Sequence, residues 1–416
     1  MAQSPAIQSE IGRLRRVIVH APGAEVEAMS PQSAEEDLYN DIVPLGIVQR
    51  EHAELSAFLS LVAEVSDVRD LLARALSDAS ARKDFLDPLL AFYGAEARRE
   101  ELEAMEAAEL ARVVIEGLPA RHGGVESLLS GRRFDLSPLP NLYFMRDAGF
   151  VFADKPAACA MRFDVRHPES LIDRAIFRSP AALGAAKLSL DGPGLRSEGF
   201  SFEGGDVQVL GPATLAIGVS ERTSARAVDA LGKALAAAAG RPVSVFAVEL
   251  PKERATIHLD MVFTMIDRDA CLVHERSILG SRRCRVVRLD ADPQGRTGVR
   301  ELPSLLEGLA EAGLYLQPVV TGGSDPVQQD REQWLSGANS FAFAPGKILM
   351  YSCNPRTLEA LDAAGFAIKS ARDFIGGGDD PFKYGRLAVG FEGAELARGG
   401  GGARCMTLPV ERDALP

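Results

Sequence analysis

The chain has 416 residues, 46% hydrophobic and 25% charged, with 58 acidic against 46 basic side chains and a formal net charge of −12. That balance excludes the basic face of a nucleic-acid or membrane-surface protein and leaves room for a sizeable core, with material for about two to three domains. The five cysteines are scattered and form no CxxC pair, which fits free thiols in a reducing compartment and excludes a disulfide scaffold or a zinc site. No basic-then-apolar leader opens the sequence, and no apolar run reaches the ~18 residues needed to span a bilayer, so a cytoplasmic location is expected.

Ile11 to His20 reads as an opening strand, ended by the turn signal Ala21-Pro22-Gly23. From Val48 to Glu116 the only glycine is Gly94, and apolar residues recur at helical spacing (Leu55, Phe58, Leu59, Val62; Leu71, Leu72, Ala75, Leu76). Residues 49–129 are therefore expected to form an inserted helical bundle, with 1–48 and 130–416 as the other unit. After Gly131 the texture turns β-rich. Strands are predicted at Gly149–Ala153, Val207–Leu210, Leu215–Gly218, Val243–Val248, Met261–Ile266, Arg285–Leu289, Ser340–Ala344 and Ile348–Tyr351. Helices are predicted at Thr223–Ala239, Arg300–Ala312 and Pro355–Ala364, the last with Asn354 as N-cap and Gly365 as its stop. The alternation makes the fold class α/β with mixed sheets.

Four polar clusters sit in the β-rich part: Asn141 to Asp147, Glu203-Gly204-Gly205-Asp206, His258-Leu259-Asp260, and Cys405 behind the run Gly399 to Gly402. On a strand His258 and Asp260 would share one face, a carboxylate for a cation beside an imidazole for proton transfer. Singly each cluster is explained by an ordinary polar turn, a His–Asp bond, an Arg146–Asp147 surface pair or a buried thiol. The remaining histidines, His20, His52, His122, His167 and His274, have no acidic companion at strand spacing and read as structural or exposed. Together the clusters supply what thiol attack on a planar cationic carbon needs: a nucleophile, an acid–base group, and carboxylates that bind a guanidinium bidentately.

In this order and at these separations the clusters resemble the arginine deiminases of the guanidino-group-modifying, amidinotransferase-like (pentein) superfamily. The likeness runs from Val17-Ile18-Val19-His20 through Asp41-Ile42-Val43, Asn141 to Asp147, Glu203 to Asp206, Gly218 to Ser224 and His258 to Asp260. Arg331 to Trp334, Gly337-Ala338-Asn339 and Gly402 to Met406 complete it. The resemblance implies a five-bladed α/β-propeller of ββαβ modules with the helical insertion, and hydrolysis of L-arginine to L-citrulline and ammonia without metal or organic cofactor. It implies Cys405 as nucleophile, His258 as general acid/base, Glu203 as the carboxylate that holds it, and Asp147 and Asp260 as the guanidinium grip. Asn141, Arg166 and Arg222 would take the α-carboxylate end, with Phe144 as a wall. The implied partner is a small guanidinium compound, L-arginine or a derivative, not nucleic acid or membrane; a homo-oligomer is compatible. Gly400 stands where the family carries an arginine, and Met145 and Ala148 replace a threonine and a proline, changes that bear on substrate choice. An amidinotransferase, passing the amidino group to an amine, and a non-catalytic guanidine-compound binder are the alternatives.

Overall fold

The computed structural model describes residues 5–39, 41–121, 125, 129, 131–184 and 186–415. His122, Asn40, the first four residues and the boundary at 130 lie outside them. The architecture is mixed α/β. One order of elements recurs: an antiparallel hairpin, a crossover, and a strand parallel to the hairpin's second member. Val207–Gly211 and Thr214–Val219 form a hairpin, Ala225–Ala239 is the crossover helix, and Val243–Glu249 returns parallel to Thr214–Val219. Phe341–Ala344, Lys347–Tyr351, the helix Pro355–Ala363 and Leu387–Phe391 repeat the order. So do Gly149–Phe152, Lys155–Ala158, the helix His167–Arg178 and Leu190–Asp191. Phe263–Asp267, Ala270–Val273 and Gln317–Val320 give a fourth instance. A further sheet joins the two ends of the described chain. Leu14–Val19 pairs parallel with Glu64–Asp67 and antiparallel with Leu408–Arg412, so the strand after Cys405 is locked to the opening strand.

The helices Val68–Leu76, Ala79–Tyr93 and Ala107–Glu116 bury Leu71, Leu72, Phe85, Leu86, Leu110 and Val114. Their apolar faces share one core with Phe150, Phe152, Ile172, Phe177 and Leu408. Asp67 and Asp78 cap the first two, each accepting from a backbone N–H, and Gly94 in the left-handed region ends the second. The longer helix Leu45–Val62 packs Phe58 edge-on to Phe343 and Phe374.

Several sequence expectations are corrected. Helix Arg300–Ala312 begins only at Leu305, because Ser304 accepts from the Glu307 N–H and starts it there. Residues Thr297–Leu302 instead extend the five-stranded sheet by pairing with Arg285–Ala291. Asn354 holds the N-cap position of its helix, as expected, but its side chain makes no capping bond. Its side chain donates to the Leu335 carbonyl, and the Glu332 carboxylate takes the Arg356 and Thr357 N–H groups. His258 and Asp260 are not on a strand, which begins at Phe263. Leu259–Met261 is a 3-10 turn, held where the Leu259 N–H donates to Asp206 Oδ1 at 2.9 Å. His20 does have acidic companions, Glu25 at 3.0 Å and Asp67 at 3.8 Å, brought from the next helix and the neighbouring strand.

Candidate active site

The Cys405 loop is placed by its neighbours rather than by its own stiffness. Gly400 sits at φ 92°, a conformation that favours glycine. A Cβ on Gly401 would stand 2.5 Å from the Phe144 ring, one on Gly402 2.7 Å from the Asn339 carbonyl oxygen, and one on Gly399 would collide with the Tyr143 hydroxyl. The glycine run is therefore what lets the loop lie flat on Phe144, and Tyr351 donates to the Gly401 carbonyl at 2.9 Å. Asn339 then fixes the nucleophile's own residue: its Oδ1 accepts from the Arg404 and Cys405 N–H groups at 3.0 and 3.1 Å, while its Nδ2 donates to Cys405 Sγ at 3.1 Å.

Five of the anticipated side chains, from four separate stretches, meet there. Cys405, His258, Glu203, Asp147 and Asp260 are all buried. Asp260 lies 3.7 Å from Cys405 Sγ through Oδ2, which also accepts from Arg404 Nη1 at 2.8 Å. His258 bonds Glu203 through Nε2 at 2.9 Å and faces Asp147 Oδ1 through Nδ1 at 3.5 Å. Asp147 Oδ1 and His258 Nδ1 are buried without a hydrogen-bond partner. Unsatisfied buried groups are costly, so this acceptor is a place where a donor-rich ligand gains most. The close approach requires Gly205, where a Cβ would stand 2.5 Å from His258 Nδ1 and 2.7 Å from Asp147 Oδ1.

Charges bias every proton. Burial would lower the His258 pKa, but Asp147, then the Cys405 thiol and Glu203, outweigh it and hold the imidazole well above its ordinary range. Burial works to raise Glu203, yet Arg222 and then His258 bring it down to about 2. Burial, helped by Asp260 and Asp147 against the pull of His258, pushes the Cys405 thiol up to about 11. Asp260 is itself raised by burial despite Arg404.

Phe144, Asn141, Arg166, Arg222 and Arg254 line the same small cavity, about 30 Å³, with Asp147, Gly399–Gly401 and Cys405. Arg166 does not stand free: it donates to Asp147 Oδ2 at 2.6 Å and to Glu169 at 2.7 Å. Arg222 reaches Glu203 at 3.4 Å and stacks on Phe163 at 4.7 Å. Asn141 turns its Nδ2 to the Asp37 carbonyl at 2.8 Å. Arg146 does not pair with Asp147; it donates to the Thr407 carbonyl at 2.9 Å. A larger cleft, about 410 Å³ beside Phe85 and Leu171, is lined by no cysteine or histidine.

Sequence reasoning missed the support beneath the site. Arg404, fully buried, donates to both carboxylate oxygens of Glu10 and to the Val207 carbonyl as well as to Asp260. Arg404 is adjacent to the cysteine and could have been suspected; Glu10, nearly 400 residues away, carries no local signal. Asp206, raised by burial to about 6, is the second hidden support. It accepts from Ser220 Oγ at 2.6 Å as well as from Leu259 N–H. Asp147, Glu203 and His258 each offer an atom within 4.8 Å of one another, the one such grouping among the described residues. Arg166 and Arg222 already bind two of these carboxylates, and a charged imidazole offers no lone pair to a metal.

A buried thiol beside a charged imidazole and three carboxylates, on repeated hairpin–crossover modules, defines an α/β protein equipped for chemistry on a cationic carbon centre. In fold it is similar to the N-terminal domain of ArgZ, an arginine dihydrolase from the ornithine–ammonia cycle in cyanobacteria (TM-score 0.54, 14% identity, 96% of this chain and 99% of that one). The arginine deiminase family model matches residues 36–412, and the chain belongs to that family. It is 31% identical to the arginine deiminase of Pediococcus pentosaceus over the full length of both chains. It is 32% identical to that of Lactococcus lactis subsp. cremoris over 98% of each.

Proposed function

We propose that the chain hydrolyses the guanidinium group of L-arginine to L-citrulline and ammonia through a covalent intermediate on Cys405. The observation that carries this reading is a thiol and an unsatisfied Asp147 oxygen lining one cavity, with His258 directly against that Asp147 oxygen, in a chain of the arginine deiminase family. Asp147 and Asp260 take the guanidinium nitrogens and set its carbon before Cys405 Sγ. The incoming positive charge offsets the two carboxylates that keep the thiol protonated, so the substrate itself favours the thiolate. The thiol proton passes to Asp260, the carboxylate nearest to Sγ. Sulfur adds to the carbon, and His258, protonated and oriented by Glu203, gives its proton to the departing ammonia. The neutral imidazole then takes a proton from water, which adds to the thiouronium carbon; collapse breaks the C–S bond and releases citrulline.

In the same proposal 1–48 and 130–416 form the catalytic part, with five of the sheets as blades of an α/β-propeller around the site, and 49–129 is a helical insertion whose strand Glu64–Asp67 joins the blade of Leu14–Val19. The recurring hairpin–crossover order supports the blades, and the absence of all nine site side chains from 49–129 supports the insertion. The test is a product assay: citrulline and ammonia in equal amounts from L-arginine, lost in Cys405→Ala. Ornithine in place of citrulline would overturn hydrolysis in favour of amidino transfer.

A further inference from the structure

A further cleft, about 440 Å³, shares no lining residue with the cavity in front of Cys405. Three separate segments supply its polar wall. The stretch after Lys155–Ala158 brings Arg162, whose backbone is pinned where its N–H donates to Glu203 Oε1 at 3.1 Å. The crossover helix His167–Arg178 brings its first residue, and the 3-10 turn Arg196–Glu198 brings Arg196. The bridge between Ala160 and Phe202 sets Phe200 beside them as an apolar wall. The polar groups are left over from the fold. Arg162 is exposed, and its side chain has no hydrogen bond or ion pair among the described residues. Arg196 commits Nε to the Met161 carbonyl at 2.8 Å and Nη2 to Asp164, which leaves Nη1 uncommitted. His167 is only 8% exposed and packs its ring on Phe92 at 4.8 Å. Its Nδ1 is buried without a hydrogen-bond partner, so Nε2 is the nitrogen left to the cleft. Burial, and then Arg196, hold this imidazole down to about 4, so at neutral pH it is an uncharged ring able to present an N–H.

We propose that this cleft is a binding site for a phosphate group, free or in a monoester, held by Arg162, Arg196 and His167. No carboxylate lines the cleft, and Asp164, bonded to Arg196, is itself 79% exposed. Donors drawn from three segments suit a tetrahedral oxyanion, which has acceptor oxygens on every side, better than a planar carboxylate taken by one arginine fork. Phe200 would lie against the organic part of a monoester. The site stands apart from the chemistry on Cys405, and its test needs no turnover.

Calorimetric titration with inorganic phosphate and with phenyl phosphate, at an ionic strength held constant with chloride, compares wild type with Arg162→Gln and Arg50→Gln. The Arg162 side chain has no partner to lose, so Arg162→Gln should keep the wild-type melting temperature. It is expected to weaken the Kd for both ligands about ten- to a hundredfold, the span of a hydrogen bond to a charged group. Arg50, an exposed arginine on the helix Leu45–Val62, controls for bulk charge, and Arg50→Gln should leave both constants where they are. Tighter binding of phenyl phosphate than of inorganic phosphate supports a monoester as occupant, and equal binding supports the free ion. No binding of either ligand to wild type, or a Kd that Arg162→Gln leaves unchanged, would overturn the proposal. So would equal weakening in the two variants, or phosphate that L-arginine displaces.

Discussion

The paired glycines before the Val207 strand make a sharp prediction, because adding one methyl group to each meets different kinds of atom. A Cβ at Gly205 stands 2.5 Å from His258 Nδ1 and 2.7 Å from Asp147 Oδ1, about 0.9 Å and 0.7 Å short of the 3.4 Å at which ordinary contact begins. Both obstacles are side-chain ends, so in Gly205→Ala the imidazole and the carboxylate must move while the backbone stays. A displacement of that size at a reacting group costs about a hundredfold in rate, whereas the overpacking costs about 1–3 kcal/mol of stability. At Gly204 the Cβ would collide with the Arg146 carbonyl, part of the backbone that carries Asp147, and 2.8 Å away lies the Gly149 carbonyl. Gly204→Ala should therefore be read mainly in stability. Kinetics of citrulline formation and thermal melting on the two variants separate these effects. Gly211→Ala is the control, since its Cβ meets only Thr214 Cβ at 3.9 Å. A Gly205→Ala enzyme with the wild-type kcat would refute the reasoning that places His258 and Asp147 against one another at the reacting centre.

Two pH dependences follow. His20, raised to about 9 because the Asp67 and Glu25 carboxylates outweigh the effect of burial, is charged in the fold where an unfolded imidazole titrates near 6.5. Its contribution, about 3 kcal/mol at most, is present below pH 6.5 and is lost as pH rises toward 9. Denaturant midpoints at pH 6 and 9.5 should fall in wild type more than in His20→Gln; parallel curves would remove His20 from the account. In catalysis, His258 must be protonated when ammonia leaves, and its pKa is held well above the ordinary range. The alkaline decline of kcat/KM should thus lie well above pH 6.5, and a decline centred there would mean that Asp147 and Glu203 do not act on the imidazole as their positions imply.

Much of the site was legible in the sequence because each catalytic candidate sits in a short cluster whose glycines or acids break the surrounding strand pattern. Glu203-Gly204-Gly205-Asp206 and the run before Cys405 are such breaks; the structure sets Glu203 against His258 and puts Gly399–Gly401 with Cys405 in the cavity wall. What could not be read is long-range. The sequence His258-Leu259-Asp260-Met261-Val262-Phe263 alternates like a strand, and only the bond from Leu259 N–H to Asp206, 53 residues earlier, turns it into a 3-10 corner. The same holds for Glu10 beneath Arg404 and for Asp67 beside His20, which depend on pairings between distant segments. Residues Thr297–Leu302 show the limit of propensity: Arg300-Glu301-Leu302 suits a helix, but Val286–Ala291 offers an open sheet edge of six residues that the segment fills.

The central claim is that carbon from arginine is carried on Cys405, and it is tested most directly by stopping the enzyme during turnover with L-arginine and mapping the modified peptide by mass spectrometry. The account predicts an alkylthiouronium adduct, L-arginine less ammonia, on the Cys405 peptide that appears and decays with citrulline release, and is missing from Cys405→Ala. Steady citrulline production with no adduct on that peptide, or undiminished turnover without the thiol, would contradict it.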